Sequence, residues 1–293
     1  MNIRLGGRAL AVLAAATTVA ALSVWHAGPA SAVTAPRLVE AESASDTVSV
    51  KSARAECDDD EDVYGSGYYV RGGNGKVAVN GVFVQHQLWY VEVTAQVTDA
   101  GLTTAWSVVA QAVCGPHVEG LHRELKQVAR STDRSQSARV ECATGQAYGG
   151  GFLLDRAAGN AFVNSVALDT AHRGVTVAAT FDGSATMPAT GWGITAYALC
   201  GPPAPVMTMR QTEGFEQSSA SPKDEDAQCL SGTRAHSAGM VAGANSAADL
   251  GDIVVDQMRL TTPTRPLTSH VQAFENNATS GTWWVQAQLI CAN

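Results

Sequence analysis

The sequence of 293 residues contains few charged and few aromatic side chains, 16% and 6% of the chain. The charged fraction lies well below the quarter that is usual for a globular domain. Lys and Arg form no cluster of the kind that contacts nucleic-acid phosphates or anionic lipids, and the formal net charge is −8. We therefore expect no nucleic-acid partner.

Long hydrophobic runs are also scarce, and the one present lies at the N-terminus. Residues 1–32 combine two arginines, an apolar run over residues 9–25 and the small-x-small sequence ASA at the end. We predict a signal peptide over residues 1–32 and a mature chain from Val33, secreted without membrane insertion after cleavage. An uncut membrane anchor is the alternative, which a run shorter than a bilayer span disfavours. Cleavage removes two of the 19 basic residues and none of the 27 acidic ones, so the mature net charge is about −10.

Motifs of catalytic, metal and cofactor sites are absent or wrongly spaced. His117 and His122 bracket Glu119 as HxExxH, whereas the zinc-protease pattern needs two His four apart with Glu directly after the first. No GxSxG elbow precedes a helix. The triple glycine at residues 149–151 fits neither a dinucleotide fingerprint nor a P-loop. We expect no cofactor, while an enzyme built from distant residues stays open.

One segment occurs three times in the chain. It reads WSVVAQAVC at residues 106–114, WGITAYALC at residues 192–200 and WWVQAQLIC at residues 283–291. On a strand, side chains alternate between two faces, so the Trp, three small or aliphatic residues and the Cys of each copy point the same way. The pattern predicts a strand with a buried stripe that ends in a thiol.

Other landmarks recur in the same order, about every 85 to 90 residues. SARAEC, SARVEC and the weaker DAQC each end at the first Cys of a pair, and VNGVFV, VNSVAL and VDQMRL follow. The chain thus contains three tandem β repeats, which we assign to residues 33–116, 117–202 and 203–293.

Each repeat shows the pattern of five or six short strands. Asn74-Gly75 separates two strand-like segments with the residue pair that a tight hairpin prefers, and Asp182-Gly183 marks a similar corner. The triple glycine predicts a bulge or a close backbone approach. Residues 121–128 have helical spacing, but the equivalent segments of the other repeats are extended, so we expect an opening strand there. The fold class is all-β, with each repeat a small antiparallel sandwich-like unit. A unit of this size with one internal disulfide can be self-contained, and the sequence leaves open whether the repeats pack together or string out.

All six Cys lie in the mature chain, an even number that indicates disulfides in an exported protein. A pairing within each repeat treats the three equivalent units equivalently. The predicted bonds are Cys57–Cys114, Cys142–Cys200 and Cys229–Cys291.

The aromatic residues divide into scaffold and ligand candidates. Trp106, Trp192 and Trp283 share the parity of the Cys stripe, which favours a core position over a disulfide rather than a ligand platform. The better ligand candidates are the aromatics that break the repeat, although packing at a sheet edge explains them equally well. These are Trp89, Tyr90 and Trp284.

The acidic run DDDED at residues 58–62 occurs in the first repeat alone. Several carboxylates suit calcium, but the spacing is unlike that of an EF-hand, which favours a solvated loop. A hydrolase whose site lies in the first repeat, with His86, Asp58 and Asp60, is a second hypothesis.

The chain resembles, over nearly its whole mature length, a tandem Cys-paired repeat of secreted actinobacterial proteins with no assigned function. The first Cys of a pair, the glycine-rich turn with its aromatic at residues 149–152 and the closing strand at residues 192–200 carry the resemblance. The Pro that usually follows the first Cys is replaced by Asp58, Ala143 or Leu230. The resemblance implies no catalytic residues. Our hypothesis is a secreted binding protein for a glycan, cell wall or surface protein, with a passive envelope protein as a further alternative.

Overall fold

A computed structural model describes most of the chain from residue 36 onward, and this part forms one compact unit. The predicted signal peptide lies outside the described residues. The described part is all-β apart from one four-residue helix, as the sequence predicts. The described ranges are 36–204, 206–212, 216–261, 267–279 and 281–293.

Within the described residues, each predicted repeat contains six strands. The first contains β1 (Arg37–Glu42), β2 (Val50–Glu56), β3 (Glu61–Arg71), β4 (Val77–Val84), β5 (Tyr90–Val97) and β6 (Ser107–Pro116). The second contains β7 (His122–Gln127), β8 (Ser135–Glu141), β9 (Gln146–Asp155), β10 (Ala161–Leu168), β11 (Gly174–Phe181) and β12 (Gly193–Gly201). The third contains β13 (Met207–Gln211), β14 (Lys223–Gln228), β15 (Arg234–Ala244), α1 (Ala247–Leu250), β16 (Ile253–Thr261), β17 (Thr268–Glu275) and β18 (Trp283–Ala292).

The opening strand predicted for every repeat is confirmed, because β1, β7 and β13 each pair with the closing strand of their own repeat. The helix considered for residues 121–128 does not form. Closing strands offer an unpaired edge there, so pairing across the sheet decides the structure where local spacing was ambiguous.

Three six-stranded antiparallel sheets make up the described molecule, and each sheet is shared by two repeats. Sheet I has the order β1-β6-β3-β16-β17-β14, sheet II the order β2-β5-β4-β9-β12-β7 and sheet III the order β13-β18-β15-β10-β11-β8. Every repeat places its first, third and sixth strands in one sheet and the other three in the next. The repeats are sandwich-like as predicted, but they are not self-contained.

Three joins complete the sheets, and each pairs the third strand of one repeat with the fourth strand of another. The register is equivalent at all three joins. The central pairs are Tyr68 with Met258, Phe152 with Val82 and Met240 with Val166. The sharing is cyclic, so no repeat is terminal in the arrangement and each sheet covers edges that separate sandwiches would leave open.

Two of the local predictions are borne out by the backbone. Asn74 and Gly75 both have positive φ, 48° and 75°, so the tight turn forms as predicted. It is not a hairpin, because β3 lies in sheet I and β4 in sheet II and the two strands do not pair. At the join in sheet II, a Cβ on Gly151 would collide with the carbonyl oxygen of Val82. The pairing of β9 with β12 also shifts register beside Gly149. The triple glycine therefore permits both the bulge and the close approach of strands from two repeats.

Equivalent residues of the three repeats meet at the centre of the molecule. The rings of Tyr64, Tyr148 and His236 form a triangle with centroid separations of 5.7 to 6.1 Å. One buried hydrophobic cluster extends through all three repeats. The fold is thus a single closed body with approximate threefold symmetry.

The three disulfides form within the repeats as predicted, with Cα separations of 5.5 to 5.7 Å. Each bond links the residue just after the second strand to the end of the sixth, and so holds together the two sheets to which a repeat contributes. The bonded pairs are Cys57–Cys114, Cys142–Cys200 and Cys229–Cys291.

Candidate binding cleft at Trp89

The repeated tryptophans belong to the core. Trp106, Trp192 and Trp283 are all buried. The ammonium group of Lys51 lies 5.0 Å from the ring centre of Trp106, and that of Lys223 lies 5.1 Å from Trp283. Because these rings are covered by protein atoms, their faces are not available to a ligand.

Trp89 has a different position, between β4 and β5, and 61% of it is exposed. Its carbonyl oxygen accepts a hydrogen bond from the N–H of Cys57 at 2.9 Å. The same backbone bond recurs from Cys142 to Arg173 and from Cys229 to Leu267. The scaffold therefore requires only the backbone at this position, and the side chain differs in every repeat.

A cleft of about 360 Å³ opens beside the Trp89 ring. We call it the Trp89 cleft, and its volume falls within the range of small-molecule sites. Its walls come from the end of β2 and the loop after it, which the Cys57–Cys114 disulfide anchors to β6. The lining residues are Arg54, Glu56, Cys57, Asp58, Asp59 and Trp89.

Arg54 organises the wall of this cleft. Its guanidinium carbon lies 3.5 Å from the ring centre of Tyr90, and its Nε lies 2.8 Å from a carboxylate oxygen of Glu56. Arg54 thus covers Tyr90, which leaves Trp89 as the aromatic surface that the cleft presents to a ligand.

Trp284, the third aromatic candidate, does not join this cleft. It lies on β18 in sheet III, whereas Tyr90 begins β5 in sheet II. A Cβ on Gly243 would collide with the Trp284 ring, so the ring packs against the backbone of the neighbouring strand. The structure therefore supports packing for Trp284 and exposure for Trp89.

The acidic run is partly neutralised by a cation from another strand. Arg37 on β1 forms an ion pair with Asp58 at 2.7 Å and hydrogen bonds to Glu61. Burial by itself would raise the pKa of Glu61, but the hydrogen bonds from Arg37 and the backbone outweigh it and lower that pKa. Asp62 in turn contacts His117 at 2.8 Å.

Metal ligands are not assembled around this run. Among the described residues, one group of three side chains has ligand atoms close enough together for a metal ion, namely Cys57, Glu61 and Cys114. Two of its three ligand atoms are the sulfurs of a disulfide, which lack the thiolate that binds metals. Whether the acidic run binds calcium or is a solvated loop stays a prediction.

The residues of the hydrolase hypothesis are not joined by hydrogen bonds or ion pairs in the described part of the chain. His86 is exposed in the turn between β4 and β5, and no hydrogen bond or ion pair in the described chain links it to Asp58 or Asp60. The histidine that sequence reasoning missed is His236, which is fully buried. Burial lowers its pKa to about 4, so the ring is neutral at physiological pH.

Arg54 and Glu56 are the cleft residues that no sequence pattern had selected, whereas Asp58 and Asp59 belong to the acidic run. Comparison of Trp89 with Arg173 and Leu267, the residues at the same place in the other repeats, is the signal that identifies the cleft.

Among the described residues, no helix is long and apolar enough to cross a membrane. No family model matches the chain, and no curated protein matches it.

Proposed function

We propose that the protein is a secreted binding protein that holds a glycan against the indole of Trp89. The observation that carries the proposal is an exposed tryptophan at a position where the scaffold uses only the backbone carbonyl. The other repeats have Arg173 and Leu267 at this place, so the fold itself does not require an indole there.

The chemistry of the cleft matches a sugar. An indole face packs against the C–H groups of a pyranose ring, while its edge stays in water. The side chains of Arg54, Glu56 and Asp59 supply donors and acceptors for hydroxyl groups next to that face. This combination of one aromatic surface and a few polar groups is typical of small-molecule sites.

Secretion is part of the proposal. Three intrachain disulfides are typical of proteins that fold in an oxidising compartment, and they agree with the predicted signal peptide. Membership of the tandem Cys-paired repeat proteins stays a prediction. Within that proposal, the outward-facing loops meet glycans of a cell wall or a neighbouring cell.

The test is a glycan array and a cell-wall pull-down with residues 33–293. Trp89→Leu places at this position the residue that the third repeat carries, so the fold should be retained while the aromatic face is lost. We expect retention of the native protein on particular glycans and a loss of at least tenfold in affinity for the variant.

Leu125→Ala is the matched control, because Leu125 is an exposed apolar residue on β7. This control should bind like the native protein. Absence of retention on both the array and the cell wall would overturn the proposal, as would a Trp89→Leu variant that binds with native affinity.

A further inference from the structure

A second cleft, of about 280 Å³, lies at the join of the first and third repeats in sheet I. We call it the join cleft. Tyr69 on β3 pairs with Gln257 on β16, which pairs with Gln272 on β17, so the three side chains lie in one row across the sheet. The guanidinium carbons of Arg71 and Arg259 lie 5.0 and 5.3 Å from the Tyr69 ring centre. The cleft shares no residue with the Trp89 cleft.

The other two joins show which of these groups the scaffold needs. Their pairing register is equivalent, so each residue of the join cleft has a counterpart. At the join in sheet II, the places of Tyr69, Gln257, Arg259 and Gln272 are taken by Leu153, Gly81, Phe83 and Thr94. At the join in sheet III, they are taken by Val241, Ser165, Ala167 and Ala178.

Strands therefore join equally well with mostly small or apolar residues at these places. Backbone pairing of the repeats therefore does not require the amides or the guanidinium group at the first join, although Arg259 stacks on Tyr69 across it and Gln257 donates a hydrogen bond to Gln272. Polar groups that the pairing does not require are candidates for ligand contacts.

Several polar atoms of the join cleft are buried and lack hydrogen-bond partners among the described residues. They are Nε of Arg259, Oε1 of Gln257 and Oδ1 of Asp256. Asp256 is only 2% exposed, and its other oxygen accepts the N–H of Gly75 at 3.0 Å. Asp256 has polar counterparts at the same bulge of the other repeats, Asn80 and Asn164, and Asn80 also has an unpaired Oδ1. Nε of Arg259 and Oε1 of Gln257 are therefore the unpaired donor and acceptor that are particular to this join.

Of the two arginines in the cleft, one forms an ion pair and the other does not. Arg71 lies 3.4 Å from a carboxylate oxygen of Glu42 and donates a hydrogen bond to the Tyr69 hydroxyl. Arg259 forms no ion pair within the described chain. A guanidinium group without a carboxylate partner favours an anionic group of the ligand, which its planar fork of donors fits.

We propose that the join cleft binds an acidic saccharide, with a sugar carboxylate paired to Arg259 and a sugar hydroxyl bonded to Gln257. The chemistry follows from the free groups: the guanidinium pairs a carboxylate, and the unpaired amide oxygen of Gln257 accepts a hydrogen bond from a hydroxyl. The polar row beside Tyr69 extends along the sheet, which suits a short oligosaccharide rather than an isolated ion. This site stands independently of the glycan site proposed at Trp89.

Isothermal titration calorimetry with residues 33–293 tests the proposal. The probes are trigalacturonic acid and trimannuronic acid, each compared with its neutral methyl ester. We expect at least one acid to bind and its ester to bind at least tenfold more weakly. Arg259→Ala should weaken binding of the acid at least tenfold, and Gln257→Ser should weaken it severalfold.

The variants carry residues that the scaffold already accepts, because Ala167 and Ser165 occupy the equivalent places in sheet III. Arg259→Lys is a second variant, which keeps the charge but loses the fork and should retain part of the affinity. Arg173→Ala removes an exposed positive charge elsewhere and should bind within twofold of the native protein, as should Trp89→Leu.

Four results would overturn the proposal. They are no binding of either acid at millimolar concentration, equal binding of acid and ester, native affinity in Arg259→Ala, and loss of binding in Trp89→Leu. The last result would place the acid in the Trp89 cleft instead.

Discussion

Single residues show how the three repeats diverge at the centre of the molecule. Where the first two repeats have Tyr64 and Tyr148, the third has His236. Beside the tyrosines the closing strands have Gly115 and Gly201, and a Cβ there would crowd both rings. The third repeat has Ala292 at that place. A smaller ring and a larger neighbour thus occur together, as close packing requires.

This reciprocity predicts the effect of His236→Tyr. The variant should lose about 1 to 3 kcal/mol of unfolding free energy, because the larger ring meets the Ala292 methyl group. The double variant His236→Tyr with Ala292→Gly should recover most of the loss. Chemical denaturation at pH 8 measures both, and a single variant as stable as the native protein would refute the packing argument.

His236 also makes stability depend on pH. Burial lowers its pKa to about 4, below the ordinary value of 6.5, so the unfolded chain binds a proton more readily in that interval. The contribution of His236 to the unfolding free energy therefore falls by about 3 kcal/mol as the pH drops from 6.5 to 4. Asp256 acts in the opposite direction over a similar range, since burial raises its pKa to about 7.

The double variant isolates the histidine contribution. Relative to the native protein, its unfolding free energy should increase by about 3 kcal/mol between pH 6.5 and pH 4. Denaturation curves at both pH values provide the measurement. A constant difference between the two proteins would show that His236 is protonated as easily in the folded state as in the unfolded chain.

A side-chain amide completes sheet I where strands of two repeats join. At the join in sheet I, Gln111 on β6 reaches past Gly67 and bonds the backbone of Leu260 on β16. Its amide N–H donates to the carbonyl oxygen at 2.9 Å, and its oxygen accepts the N–H at 2.7 Å. A side-chain amide thus completes the sheet where the strands separate.

Gln111→Leu should cost about 3 kcal/mol of unfolding free energy, because it leaves both backbone groups of Leu260 buried and unpaired. Gln288 offers a matched comparison, since it makes one such bond, to the N–H of Leu168 at 2.9 Å. Gln288→Leu should cost about half as much. Equal stability of the native protein and Gln111→Leu in chemical denaturation would contradict this role.

The strands, the faces of their side chains and the disulfide pairs could be predicted from the sequence. Parity alone placed Trp106, Trp192 and Trp283 on the face of the Cys stripe, and the disulfide pairs followed from equivalence of the repeats. The joins could not be predicted, because a strand such as β3 has the same alternation whether its neighbour comes from its own repeat or another. Trp89 and Tyr90 were equally good candidates until the position of Arg54 distinguished them.

At the scale of the whole molecule, closure makes the repeats interdependent. The buried hydrophobic cluster crosses all three joins, and each repeat alone would expose two strand edges. Residues 117–202, with the Cys142–Cys200 bond intact, should therefore show no cooperative unfolding. Residues 33–293 should unfold in one transition with matching calorimetric and van't Hoff enthalpies. An isolated repeat with its own sharp transition would contradict closure.

The closed arrangement of three repeats also distinguishes residues that maintain the fold from residues that could bind a ligand. Positions that hold the closed body together recur in all three repeats, whereas Trp89, Gln257 and Arg259 each occur in one. Threefold repetition therefore supplies internal controls, because each candidate ligand residue has counterparts in the same fold. The Trp89 cleft and the join cleft both emerge from that comparison.

The most direct measurement is one glycan array with the native protein and the triple variant Trp89→Leu, Gln257→Ser and Arg259→Ala. Each replacement residue already occurs at the equivalent place of another repeat, so the midpoint temperature of thermal unfolding should be unchanged within a few degrees. The account predicts that the native protein binds a set of glycans that includes acidic ones and that the variant binds none of them. An unchanged binding pattern in the folded variant would contradict it.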